Sequence, residues 1–120
     1  MKFSVFPEEN LARGTLSIAH RYLGPPSGVH GGIIALIMDE CMGKLSRFDG
    51  VVALTAELNV EYLRLVPLGR KIVVEARPVK QLGRSYWREC TIRDSKGTLL
   101  ARGKGRFVKI ATRDDVNKYD

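Results

Sequence analysis

At 120 residues the chain is long enough for one hydrophobic core and too short for two. With 44% hydrophobic and 28% charged residues it has the composition of a soluble globular domain, and its apolar runs fall short of the roughly 20 residues that span a bilayer. Twenty Lys and Arg against thirteen Asp and Glu leave a net charge of +7, which suits nucleic acid, an anionic membrane or a phosphorylated small molecule, or serves solubility alone. The basic residues run from Arg64, Arg70 and Lys71 through Lys80, Arg84, Arg102, Lys104 and Arg106 instead of massing in one tail, so charge does not choose among these.

The first residues meet Pro7, Glu8 and Glu9 before a signal-peptide core forms, so a cytoplasmic location is expected. Residues 14–20 alternate polar and apolar, as a half-buried strand does. The turn chemistry of Leu23 to Gly28 then delivers the chain to a helix expected over about 30–46. Ile33, Ile34, Leu36, Ile37, Met38, Cys41, Met42 and Leu45 surround nearly the whole of that helix, so it should be covered on most sides. From Val52 to Tyr62 the even positions are apolar, while Thr55, Glu57, Asn59 and Glu61 share the other face of one long strand. A turn at Val66–Gly69 precedes a strand from Lys71, in which Pro78 marks a bulge or an edge. A further turn at Gln81–Arg84, a strand over 85–94, a hairpin at Asp94–Gly97 and a strand over 98–110 follow, with 111–120 as a polar tail. The expectation is a single α+β domain with its core over about 7–110.

Cys41 and Cys90 have neither zinc-site nor redox-pair spacing and read as reduced, buried, structural thiols. No Ser/His/Asp triad, metal cluster, phosphate loop or dinucleotide loop is present in the sequence, so neither a metal nor a cofactor is expected.

The chemistry gathers at His30-Gly31-Gly32 and Asp39. A helix N-terminus offers unsatisfied N–H groups and the positive end of the dipole, and glycines let a ligand carbonyl approach them; a glycine pair also serves a plain tight turn. Asp39, expected to be buried, needs an explanation, either catalytic or as an acid held by Lys44 or an arginine. His30 reads either as a helix cap or as a group beside the reacting carbonyl. Gly31 and Asp39 lie about 12 Å apart along the helix axis, too far to act on one carbonyl. Across a two-fold axis, the acid of one subunit faces the glycine turn of the other, and the apolar surface that one sheet leaves uncovered predicts at least a dimer. Glu40 points about 100° away from Asp39 and reads as a paired, exposed residue.

Gly24 to Gly32, then Asp39-Glu40, then Thr55 to Tyr62 and Pro67-Leu68-Gly69, resemble the hotdog-fold acyl-CoA thioesterases of the phenylacetate-pathway and 4-hydroxybenzoyl-CoA thioesterase type, over residues 7–110. The resemblance implies a long central helix wrapped by a curved antiparallel sheet of five or six strands. It also implies a dimer or tetramer hydrolysing an acyl-CoA, with coenzyme A as part of the substrate and no separate cofactor. In it Gly31 supplies the oxyanion-hole N–H, Asp39 of the neighbouring subunit is nucleophile or general base, Thr55 positions Asp39 or the water, and His30 sits beside the thioester. Gly32, Asn59, Lys80, Gly83, Arg84 and Ser85 would contact substrate or coenzyme A, giving the positive charge a client. Many relatives carry asparagine six residues before the histidine, where this chain has Gly24. The alternatives are a hydratase or dehydratase of the same fold, and a non-catalytic module binding acyl-CoA or nucleic acid through Arg102, Lys104 and Arg106, which lack an accompanying RNA-binding aromatic motif.

Overall fold

A computed structural model describes residues 2–24 and 28–114. Pro25, Pro26 and Ser27 of the expected loop, and residues 115–120 of the expected tail, lie outside the described residues. Strands β1 (Ser4–Phe6) and β2 (Leu11–Ser17) come first, then a 3-10 turn at His20–Tyr22, helices α1 (Gly31–Gly43) and α2 (Leu45–Asp49), and strands β3 (Val51–Tyr62), β4 (Lys71–Leu82), β5 (Ser85–Asp94) and β6 (Leu99–Thr112). The strands form one antiparallel six-stranded sheet in the order β1-β2-β4-β5-β6-β3.

Three boundaries differ from expectation. The first expected strand begins at Leu11 instead of residue 14 and stops at Ser17, His20 entering the 3-10 turn, while β1 pairs only with β2 and was not foreseen. The expected helix over 30–46 ends at Gly43, and Leu45 begins a second, short helix. The last strand continues through Thr112, so residues 111 and 112 of the expected tail pair with Val52 and Val51.

Helix α1 carries Ile34, Ile37, Met38, Cys41 and Met42, with Leu45 beyond, on one buried stripe at the i, i+3, i+4 spacing. Within one chain the sheet covers a one-sided stripe, with Leu36 47% exposed and Ile33 half-buried off it. Glycines in β6 let this stripe approach the sheet: a Cβ at Gly103 would lie 2.7 Å from Met38 Sδ, and one at Gly105 3.2 Å from Met42 Cε. Cys41 and Cys90 are both buried free thiols. Hydrogen bonding with Cys41, followed by burial, pushes the Cys90 thiol far up, which keeps it from acting as a thiolate nucleophile.

Arg88 of β5 is 1% exposed, a charge in the core that sequence reading passes over. Its guanidinium donates to Met42 O and Ser46 Oγ and pairs with Asp49 Oδ2 at 2.9 Å, and it lies 4.7 Å from the Phe107 ring centroid. Burial lowers its pKa, and the Asp49 pair pulls back toward the charged form. The chain thus ties the end of α1 and the whole of α2 to the sheet through one side chain.

Pro78 sits where β4 shifts register, between Pro78 and Lys80, and beyond Ala76, the last β4 residue paired with β2. Both expected roles of that proline, bulge and edge, are met there.

Candidate active site

Strand β3 is the sheet edge next to α1's acid, and its register with β6 shifts twice, between Val52 and Ala53 and again between Thr55 and Glu57. Thr55 pairs with Phe107 and Glu57 with Arg106, leaving Ala56 as the extra residue of a bulge. Before the bulge the odd positions Val51 and Ala53 pack toward the core; after it the even position Val60 does. Thr55 therefore faces the helix, contrary to the expectation that it shares a face with Glu57, Asn59 and Glu61. Its Oγ1 donates to Asp39 Oδ1 at 2.6 Å.

Asp39 is half-buried in the chain, not buried as expected, because it lies one residue off the Ile34–Met42 stripe. Thr55 is its hydrogen-bond partner, and neither Lys44 nor an arginine pairs with it among the described residues. Glu40 is exposed and forms no ion pair there either, so its expected salt bridge is absent among the described residues. The acid opens on a cavity of about 280 Å³ between the end of α1, α2 and the start of β3.

At the other end of α1, His30 is the N-cap, its Nδ1 accepting from the Gly32 N–H at 3.0 Å. Because Nδ1 accepts, the neutral ring carries its proton on Nε2. The Gly32 N–H is thus occupied, while the Gly31 N–H has no partner among the described residues. Tyr62, read in the sequence as the end of an apolar series and of the strand that resembles the family's, donates its hydroxyl to Gly31 O at 2.8 Å. A Cβ at Gly31 would meet the Tyr62 ring at 3.5 Å, an ordinary contact, so the fold does not require glycine there. Gly24 is different. A Cβ there would stand 2.7 Å from His30 Cα, so an asparagine in its place would push the backbone that seats His30.

The remaining expected residues fall into two groups. Asn59 points from the outer sheet face, where it lines a concavity of about 550 Å³ with Glu61, Glu89 and Arg102; Val60 and Tyr62 alternate with it toward α1. Lys80 lies 4.5 Å over the Trp87 ring centroid, Gly83 turns with φ +60°, Arg84 Nε donates to Lys109 O, and Ser85 Oγ accepts from Arg106. That turn is at the Asp39 end of the sheet, since Ser85 pairs with Val108 and Val108 with Leu54. The outer arginines of β6 are engaged: Arg102 pairs with Glu61, whose carboxyl it holds below the usual range, and Arg106 pairs with Glu57.

An antiparallel six-stranded sheet carrying one long helix, with a half-buried acid on it and a glycine N–H at its start that has no partner among the described residues, defines a hotdog-fold protein. The Thioesterase superfamily model matches residues 27–101, and the chain belongs to that superfamily. Acyl-coenzyme A thioesterase THEM4 of Rattus norvegicus is 36% identical over 88 residues, covering 72% of this chain and 38% of that protein. The chain thus spans well under half the length of that relative. The crystal structure of a thioesterase superfamily protein superposes with a TM-score of 0.82 at 29% identity, over 88% of this chain and 54% of that one. A Streptococcus mutans protein bound to acetyl-CoA superposes equally, TM-score 0.82 at 20% identity, over 87% of this chain and 84% of its own. Among the described residues no helix is long and apolar enough to cross a membrane.

Proposed function

We propose that the chain is an acyl-CoA thioesterase whose site is completed by a second copy. The observation that carries this reading is Asp39, half-exposed, free of any cation among the described residues and aimed by Thr55 beside an unpaired sheet edge. That edge, β3, exposes Leu54, Leu58 and Tyr62 at 60, 36 and 52%. Long edge strands of this kind recruit another strand. If two β3 strands pair antiparallel about a two-fold axis, the Thr55 end of one meets the Tyr62 end of the other. Asp39 is bound to the first end and Gly31 to the second, so the acid of each copy arrives at the free N–H of its partner.

In such a site the thioester carbonyl oxygen accepts from the Gly31 N–H, which stabilises the negative charge that develops on it. Asp39 acts in one of two ways. It takes a proton from water as the water oxygen bonds to the carbonyl carbon, the C–S bond breaks, and the proton passes to the departing sulfur. Alternatively its carboxylate bonds to the carbon and expels the thiolate, and water then splits the mixed anhydride. Both routes end in a free acid and coenzyme A. His30 Nε2–H is placed to donate near the glycine turn, and Lys80, Arg84 and Ser85 provide the polar turn for the coenzyme A phosphates. The reading as a basic nucleic-acid module loses its best asset, because Arg102 and Arg106 are already paired with Glu61 and Glu57.

Free-thiol release should be measured across acyl-CoAs for the native chain and for Asp39→Ala. The variant should retain the native circular dichroism and lose at least about a thousandfold in kcat. Near-full activity in the variant overturns the assignment, and loss of an enoyl chromophore without thiol release marks a hydratase.

A further inference from the structure

The cavity at Asp39 is lined by three cations. Lys44, Arg47 and Arg113 all border it, along with Asp39, Thr55 and Phe107. Among the other described arginines, Arg13, Arg77, Arg88, Arg102 and Arg106 meet a carboxylate, while Arg21, Arg64, Arg70, Arg84 and Arg93 do not. Lys44, Arg47 and Arg113 meet none among the described residues, although Glu40 stands one helical turn before Lys44. Three cations with no carboxylate partner among the described residues border this cavity, where they more than balance the charges of Asp39 and Glu40 on the same walls.

Resting on the thioesterase reading of this site, we infer that the cavity receives the acyl side of the substrate, and that the acyl group carries an anionic end, a carboxylate. The chemistry of the walls supports this. An uncharged acyl chain gains from apolar walls, which here are confined to Val51, Val52, Ala53 and Phe107, and gains nothing from guanidinium groups. A carboxylate accepts charge-assisted hydrogen bonds from arginine, two at once from a well-placed fork. At about 280 Å³ the cavity is small, which fits a short diacid half-thioester better than a long chain. The buried Arg88, stacked behind Phe107 and tied to α2, holds the wall that carries Arg47.

The test compares glutaryl-CoA with pentanoyl-CoA, which have equal carbon counts and differ by one terminal carboxylate. The native chain should prefer glutaryl-CoA in kcat/KM, and Arg47→Ala and Arg113→Ala should each lower the ratio of the two values about tenfold or more, with Arg47→Glu lowering it further. The same ratio should be followed as Kd by calorimetry, using the non-hydrolysable thioether analogues of both esters. Equal loss on both substrates shows that the cations read coenzyme A phosphates, and overturns the inference. So does an unchanged ratio, or a native preference for pentanoyl-CoA. If no acyl-CoA is hydrolysed, the thioesterase reading fails, and the analogue affinities still decide whether the cavity favours the carboxylate.

Discussion

Thr55 Oγ1 holds Asp39 Oδ1 at 2.6 Å, and it does so because a bulge at Ala56 turns Thr55 from the outer sheet face toward the helix. A threonine on an edge strand and a carboxylate two turns into a helix become one unit. Its energetic role is to restrict the carboxylate to one rotamer, so its loss should appear in turnover more than in binding.

Thr55→Val keeps the β-branched shape and removes the hydroxyl. Its kcat on the best acyl-CoA should fall by about ten- to a hundredfold with KM nearly unchanged, and Thr55→Ser should restore most of the rate. Steady-state kinetics on the three proteins check this. Equal rates for Val and native would reduce Thr55 to an ordinary strand residue.

Gly31→Ala separates a structural from a chemical use of the glycine. The added methyl meets Tyr62 at an ordinary 3.5 Å, so thermal stability should stay level or rise slightly. The kcat/KM should nevertheless drop by about a hundredfold, because the methyl stands where a carbonyl must approach the N–H. A melting curve and an assay on the same sample give both halves of the answer.

Arg88→Ala should cost about 3 kcal/mol of unfolding free energy, because it leaves Asp49, Ser46 and Met42 O without their donor and opens a cavity behind Phe107. Arg88→Met fills the space and should cost less. Urea midpoints for the two variants test the order.

Glu75 predicts a pH effect. Burial raises its carboxyl pKa, but hydrogen bonds from Arg13 and Arg77 outweigh burial and leave it below the ordinary 4.5. A depressed folded pKa stabilises the protein above the unfolded value and loses that contribution as pH falls through the folded value. The groups are partly exposed, so the effect at pH 7 should be about 1 kcal/mol at most. Glu75→Gln should therefore unfold at lower urea at pH 7, and the two proteins should converge below pH 4.5. A constant difference down to acid would show that the pairs carry no net stability.

Local pattern by itself determined the class of this protein. The alternations in β4 to β6, the Asp94–Gly97 hairpin, Pro78 at a register shift and the glycine turn opening an apolar helix all depend on neighbours in sequence, and all appear, with β6 running to Thr112 and α1 ending at Gly43. The placement of the glycine pair and the acid on one helix was equally legible, since it is defined by spacing alone.

Tertiary structure decided what depends on a partner strand or a packing neighbour. The even-position apolar run of 52–62 reads as one continuous face, yet the pairing of β3 with β6 inserts a bulge at Ala56 and exchanges the faces, so that Thr55 reaches Asp39 and Asn59 does not. Strand β1 is three residues long and exists through its pairing with β2. Arg88 looks like a surface cation until α2 is laid over it, and Gly24 reads only as a departure from the family asparagine until His30 Cα stands 2.7 Å from its missing side chain. Hydrophobic period reports which face a residue prefers, whereas bulges, buried charges and backbone contacts arise from chain segments tens of residues away, and those are set by packing the whole sheet against one helix.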